Sequence, residues 1–177
     1  MHRSRSHRIP FVALVAAAVF TAAGPAAGAT VATTQPTETH CVVSVVDQLE
    51  SGEYVLSDEE CYDTFAEAMA SVGVDASTSS RQAVVENAAT VQSTLAVHFD
   101  GANYTGSSFS VSGVDCLGGY INLSATWDNR VSSTFGGICG RIRHWSGANI
   151  SGSYQDTLNT GNLTTLNNAA SSIQYLT

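Results

Sequence analysis

Two short segments of the chain carry asparagine, aspartate and serine at matching positions. Residues 128–133 (DNRVSS) and 167–172 (NNAASS) share the pattern Asn/Asp-Asn-x-x-Ser-Ser, with an offset of 39 (167 − 128). Tight turns of this composition present amide, hydroxyl and backbone carbonyl oxygens, and Ca²⁺ takes about 6–8 oxygen ligands of these kinds. Asparagine and serine also cap and hydrogen-bond ordinary turns. The pattern therefore indicates either a cation site built from oxygens or a pair of capped turns.

A second motif is also present twice and precedes the first in both cases. Residues 98–107 (HFDGANYTGS) and 144–153 (HWSGANISGS) are identical at six of ten positions, with an offset of 46 (144 − 98). Each contains an aromatic residue followed seven positions later by glycine, namely Phe99 with Gly106 and Trp145 with Gly152. Two motifs repeated in the same order indicate an internally duplicated module.

The elements that must position these motifs are short strands. Each copy has the pattern strand, glycine-rich hairpin, strand, longer connection, strand, and the dense Gly/Asn/Ser signals between short alternating runs are typical of an antiparallel Greek-key sandwich. Gly106 and Gly152 are expected to take backbone angles that a Cβ would forbid. Phe99 and Trp145 should fold over the hairpins that they precede. The predicted fold is mainly β, a two-Greek-key antiparallel β-sandwich over residues 94–177.

The ordered motif pairs resemble those of βγ-crystallin domains of the microbial calcium-binding type, over about residues 95–177. The resemblance implies that two Ca²⁺ ions are each clamped by both copies. The ligands implied for the first site are the Ala102 carbonyl, the Ser132 hydroxyl, the Asn168 side chain and the Ala169 carbonyl. Those implied for the second site are the Ala148 carbonyl, the Ser171 hydroxyl, the Asn129 side chain and the Arg130 carbonyl.

Charge at the two motifs predicts weak binding. The second motif position is asparagine in both copies, Asn129 and Asn168, so neither site has a carboxylate there. Asp128 is the only acid in either motif, and Arg130 places a positive charge close to it. Because ligand charge tunes calcium affinity, we expect a Kd of ~10⁻⁴–10⁻³ M, or somewhat tighter, at both sites.

An acidic segment precedes the duplicated module. Residues 30–96 carry eleven acids and only Arg81, whereas residues 97–177 carry four acids and three arginines. This contrast predicts a boundary near residues 93–96 and an α+β segment, residues 30–93, that is either a pro-region or a subdomain. Its expected elements are a strand beginning at Cys41, a hairpin partner at 53–56, and a helix that starts from a capping box at 57–60 and stops at Gly73. The acids are expected to form a solvated face.

The first 29 residues have the features of a secretory signal. A basic stretch at 2–8 is followed by an apolar run at 9–23 and by Ala27-Gly28-Ala29, which suits signal peptidase. The alternative is a membrane anchor, but the run is shorter than the ~20 residues that span a bilayer. We therefore expect a secreted protein that is free of the membrane after cleavage. The absence of lysine and the alanine-rich signal suggest a bacterial source.

The four cysteines all lie after the predicted signal, which favours disulfides in an exported protein. No C-x-x-C pair is present, so a zinc site is disfavoured. Three connectivities are possible. The pairing Cys41–Cys61 with Cys116–Cys139 keeps each bridge within one of the two segments and is the one we predict.

His98 and His144 occupy equivalent positions beside Phe99 and Trp145. If those aromatic residues face inward, strand alternation places both histidines on the outside. We therefore expect two solvent-facing histidines, and a shared transition-metal site is the alternative.

Charge and motifs limit the functions that remain. The formal net charge is −8, which disfavours binding to nucleic acid or to an anionic membrane. Neither G-x-S-x-G nor H-E-x-x-H is present, so an enzyme is not expected. We expect a monomeric, secreted, weakly calcium-binding module with a structural or stress-related role. The alternatives are an inhibitor of an extracellular metalloproteinase, since secreted microbial inhibitors of this kind are similar in fold, and an exported antimicrobial toxin.

Overall fold

The structure is a computed structural model that describes residues 37–75 and 94–177. The predicted signal (1–29), residues 30–36 and residues 76–93 lie outside this description. The strands are β1 (His40–Gln48), β2 (Tyr54–Leu56), β3 (Glu60–Tyr62), β4 (Thr94–Phe99), β5 (Ser108–Ser112), β6 (Leu117–Asn122), β7 (Ser133–Gly136), β8 (Arg141–Gly147), β9 (Ser151–Leu158), β10 (Thr160–Asn162) and β11 (Ser172–Leu176). The helix α1 spans Phe65–Ser71, and a 3-10 turn spans Ala102–Tyr104. Over these residues, neither helical segment has the length and apolar character that a membrane span requires.

The two copies of the module exchange strands. One sheet has the order β10-β7-β4-β5-β1-β2, with β3 also paired to β1, and the other has the order β6-β11-β8-β9. Copy one supplies β4 to β7 and copy two supplies β8 to β11. The third strand of each copy lies in the sheet of the other, because β6 pairs with β11 and β10 pairs with β7. The predicted fold, a mainly β sandwich of two Greek keys, is confirmed.

The first strand joins the sheet of the module through a parallel pairing that the sequence did not predict. β1 pairs parallel with β5, from His40 opposite Ser108 to Ser44 opposite Ser112. Parallel neighbours need a long connection, and here β2, β3, α1 and β4 supply it. The hairpin partner predicted at 53–56 is present as β2, antiparallel to β1.

The acidic segment shares its core with the module. Cys41, Val43 and Tyr54 belong to the apolar cluster between the sheets. Phe65 and Met69 of α1 pack with strand residues in a second cluster on the outer face of the first sheet. Packing therefore continues across the change of charge near residues 93–96, and the division of the chain into a pro-region or subdomain and a module stays a prediction.

The helix α1 begins later than predicted. Its N-cap is Thr64, whose side chain accepts from the Glu67 N–H at 3.2 Å and donates to the Glu67 carboxylate at 2.7 Å. The capping box predicted at 57–60 is wrong, since the Ser57 hydroxyl instead accepts from the Ser44 N–H at 3.0 Å. Gly73, with φ of +80°, ends the helical segment as predicted.

Both predicted disulfides are confirmed. Cys41 and Cys61 lie opposite each other in β1 and β3 and are bonded. Residues 60–62, which were predicted to be helical, form a strand that pairs antiparallel with β1. Cys116 and Cys139, which precede β6 and β8, form the second bridge.

The prediction that His98 and His144 face solvent is wrong, because both are fully buried. Phe99 points toward α1, where its ring lies 5.6 Å from that of Phe65. Since neighbouring residues of a strand face opposite sides, His98 faces the core between the sheets. Trp145 lies on the outer face of the second sheet, so His144 also faces the core.

Candidate metal centre

The two motif turns have the same backbone conformation and hold each other. Asn129 and Asn168 have φ of 57° and 53°, the left-handed region that asparagine tolerates better than most residues. The Asn129 N–H donates to the Ala170 carbonyl at 2.9 Å, and the Asn168 N–H donates to the Val131 carbonyl at 3.0 Å. Each turn is therefore fixed by the other copy, as a site shared between the copies requires.

Side chains from the two copies meet at the first predicted site, the first clamp, which comprises Ala102, Ser132, Asn168 and Ala169. The Ser132 hydroxyl donates to Oδ1 of Asn168 at 3.0 Å. Ser132 is only 4% exposed and Asn168 is exposed, so the pair lies at the surface end of the interface. The predicted Ala102 carbonyl accepts from the Thr105 hydroxyl at 2.8 Å. Ala169 is half-buried and directly follows Asn168.

The second predicted site, the second clamp, is arranged differently and comprises Ala148, Ser171, Asn129 and Arg130. Nδ2 of Asn129 donates to its neighbour Asp128 at 3.0 Å, and no hydrogen bond joins Asn129 to Ser171 in the part of the chain that the structure describes. The backbone of Ser171 has the position that corresponds to that of Ser132. The Ser171 N–H donates to the Trp145 carbonyl at 2.8 Å. The Ala148 carbonyl accepts from the Ser151 hydroxyl at 2.6 Å.

Arg130 directs its charge away from its own motif. Its guanidinium donates to the Asp100 carboxylate at 2.6 Å and to the Thr126 carbonyl at 2.9 Å. It also lies over the Trp127 ring, 5.2 Å from the centroid. The positive charge that the sequence places beside Asp128 is therefore balanced by Asp100.

The last serine of each motif has a structural role that the sequence analysis did not assign. The Ser133 hydroxyl donates to the Gly101 carbonyl at 2.7 Å and accepts from the Tyr104 N–H at 3.0 Å. Ser172 makes the same two contacts with Gly147 and Ile150, at 2.7 and 3.0 Å. These buried hydroxyls fix the hairpins that carry the Ala102 and Ala148 carbonyls.

Two asparagine pairs fix the same hairpins from the exchanged strands. Asn162 and Asn103 bond through their amides at 2.8 Å, and Oδ1 of Asn162 accepts from the Asn103 N–H at 2.7 Å. Asn122 and Asn149 form the equivalent pair at the same two distances. The sequence contained a signal for this arrangement, because Asn122 and Asn162 end β6 and β10, the third strands of the two copies.

The buried histidines form a separate polar cluster. His98 contacts the Thr134 hydroxyl through Nδ1 at 3.0 Å and the Tyr175 hydroxyl through Nε2 at 3.1 Å. Nε2 of His144 contacts the same Thr134 hydroxyl at 2.8 Å. Burial lowers the pKa of His98 well below its usual value, with a further lowering from His144, and burial lowers the pKa of His144 to about 4. These hydroxyl contacts occupy three of the four ring nitrogens, which disfavours the transition-metal alternative.

Cys41, Cys61 and Glu59 also lie close together. Because both sulfurs are in a disulfide, this group has no thiolate to offer a metal. The oxygens at the two motif turns suit a hard cation, since they are hydroxyl, amide and carbonyl oxygens.

No family model matches the chain, and no curated protein matches it. Several solved structures do. The N-terminal domain of protein S matches with a TM-score of 0.38 and 17% identity, over 46% of this chain and 94% of that one. The Ca²⁺-bound βγ-crystallin domain of Abundant Perithecial Protein from Neurospora crassa matches with a TM-score of 0.39 and 13% identity, over 48% and 89%. A double mutant of a βγ-crystallin domain from Clostridium beijerinckii matches with a TM-score of 0.38 and 21% identity, over 46% and 97%. The similarity to βγ-crystallin domains is one of fold, over about half of this chain.

Proposed function

We propose that the protein is secreted and binds Ca²⁺ weakly at two clamps between its Greek keys, in a structural or stress-related role. The observation that carries the proposal is the contact of Ser132 with Asn168 across the two copies, at 3.0 Å. It is supported by the matching left-handed turns at Asn129 and Asn168.

The chemistry of the first clamp suits calcium. Ca²⁺ binds oxygens at about 2.3–2.6 Å, so two oxygens 3.0 Å apart can both reach one ion. Serine hydroxyl and asparagine amide oxygens are neutral, which keeps the affinity low. The buried hydroxyls of Ser133 and Ser172 hold the carbonyl-bearing hairpins in place before any ion arrives, and this lowers the cost of ordering on binding.

A bound ion would stabilise the folded protein. Ligand binding to the native state adds RT ln(1 + [L]/Kd), which is about 2.7 kcal/mol per site at free calcium of about 100 times Kd. For sites of millimolar affinity, the stabilisation should appear only at millimolar calcium and above.

Thermal melts with and without Ca²⁺ test the proposal. We expect the melting temperature of the wild type to rise with Ca²⁺, and Ser132→Ala and Ser171→Ala each to lose part of the rise. Asn168→Asp should increase the rise, since it adds a carboxylate without bulk. Ser153→Ala is the matched control, because it removes an exposed serine hydroxyl outside both clamps and should keep the full rise. A calcium response that is absent, or unchanged in the Ser132→Ala/Ser171→Ala double variant, contradicts the proposal.

A further inference from the structure

A carboxylate from the acidic segment lies beside the second clamp. Glu53 directly precedes β2, at the end of the hairpin that joins β1 to β2. Its backbone bridges to Tyr120 of β6, and the Tyr120 N–H donates to the Gly52 carbonyl at 3.1 Å. The Glu53 side chain is half-buried, and its Oε1 accepts from Nδ2 of Asn122 at 2.8 Å. The hairpin therefore places one acid at a fixed position on the module.

That carboxylate is one contact away from the turn that carries the Ala148 carbonyl. Nδ2 of Asn122 donates both to Glu53 and to Oδ1 of Asn149, in each case at 2.8 Å. Oδ1 of Asn122 accepts from the Asn149 N–H at 2.7 Å. Glu53, Asn122 and Asn149 form a chain of hydrogen bonds that ends at the neighbour of Ala148.

Among residues 37–75 and 94–177, no acid of the acidic segment forms a hydrogen bond with the asparagine pair of the first clamp. The equivalent pair, Asn103 with Asn162, receives no carboxylate in the described part of the chain. The nearby acid of copy one is Asp100, which is neutralised by Arg130 at 2.6 Å. Among the described residues Glu53 forms no ion pair, so its negative charge is uncompensated.

We propose that Glu53 belongs to the second calcium clamp and makes it the tighter of the two sites. The inference rests on the proposed calcium function. Neither duplicated motif supplies a carboxylate at its second position, and within residues 37–75 and 94–177 the acidic segment provides one at the second clamp but not at the first. Calcium affinity rises with the negative charge close to the ion.

A site-resolved titration tests the proposal. Ca²⁺ is titrated into ¹⁵N-labelled mature chain (residues 30–177), and a Kd is read from the Asn149 and Ser171 amides for the second clamp and from the Asn103 and Ser132 amides for the first. In Glu53→Gln, which can still accept from Asn122 but lacks the charge, we expect the second-site Kd to rise about three- to tenfold. The first-site Kd should stay within about twofold.

Glu50→Gln is the matched control, because Glu50 is an exposed acid of the same hairpin. It should leave both Kd values within about twofold. Equal second-site Kd values in the wild type and Glu53→Gln overturn the role of Glu53, as does a loss of equal size in Glu50→Gln. If the wild type shows no calcium-dependent shift at either clamp, the proposed function fails, and the inference fails with it.

Discussion

Gly106 and Gly152 lie in the two hairpins that carry the predicted calcium carbonyls. Their φ angles are +77° and +81°, which L side chains rarely adopt. A Cβ at Gly106 would collide with the Asp100 carboxylate, and one at Gly152 would collide with the Ser146 hydroxyl. The aromatic-x6-Gly spacing of the sequence is thus explained by the hairpin geometry.

Gly106→Ala should destabilise the protein by more than about 1 kcal/mol, because backbone strain and a collision add together. Gly73→Ala is the control, since Gly73 has φ of +80° but no neighbouring atom within 4 Å of a Cβ. Gly73→Ala should lower the free energy of unfolding by the backbone strain alone, and therefore by less than Gly106→Ala. Urea unfolding of both variants measures the difference. Equal losses would show that Asp100 yields freely to the methyl group.

Residue identity alone predicted the backbone angles of the glycines and the pairing of the cysteines. It did not predict which side of the strand the histidines face. A positive φ is a local property, and a pair of cysteines within one segment is close in sequence. The orientation of His98, in contrast, depends on which face of β4 is covered. The helix α1 covers the outer face and buries Phe99 there, and this packing could not be read from the alternation of β4 itself.

At the scale of elements, the acidic segment completes the first sheet. β1 covers the edge of β5, and α1 covers Val97, Phe99 and Phe135. The sequence predicted β1, β2 and the presence of a helix. It did not predict the parallel pairing, because that pairing depends on contacts between residues nearly 70 positions apart, as for His40 and Ser108 (108 − 40 = 68).

Removing the acidic segment tests this dependence. The sequence predicts that residues 94–177 fold alone if residues 30–93 are a pro-region or a subdomain, whereas the shared clusters lead us to expect a fragment that is markedly less stable than residues 30–177. The exposed aromatic residues should also make it bind a hydrophobic dye. Chemical denaturation of the two chains, compared side by side, measures the loss. A fragment with the same free energy of unfolding would show that the segment packs without stabilising the module.

At the scale of the whole molecule, the histidine cluster between the sheets makes stability depend on pH. The folded-state pKa values of His98 and His144 lie below the ordinary value, mainly because of burial. The folded state therefore favours the neutral form of both histidines. The contribution of these histidines to the free energy of unfolding is fully present above about pH 6.5. It is lost as the pH drops toward about 4, by up to about 1.4 kcal/mol per pH unit for each histidine.

His98→Gln should reduce that slope, because glutamine keeps polar contacts but does not titrate. Free energies of unfolding at several pH values between about 4 and 7, for the wild type and His98→Gln, measure the slope directly. Parallel curves for the two proteins would show that protonation of His98 is not linked to unfolding.

The duplication made the paired motif turns predictable from the sequence, whereas the difference between their surroundings was not. Both motif halves recur in order, so the paired turns at Asn129 and Asn168 follow from the pattern. The contact of Arg130 with Asp100 and that of Glu53 with Asn122 involve residues outside the motif. These contacts give the two clamps different charge environments, which a repeat alone cannot show.

Calorimetric titration of Ca²⁺ into residues 30–177 measures calcium binding at the two motif turns. We expect weak binding at two sites, with heat that is lost in the Ser132→Ala/Ser171→Ala double variant. That variant should still fold without calcium, because losing the Ser132 hydrogen bond to Asn168 costs only about 1 kcal/mol. We also expect a smaller response to Mg²⁺, which requires a more rigid octahedral geometry. A wild type that gives no heat of binding, or a double variant that binds as the wild type does, would show that the motifs are turn caps alone.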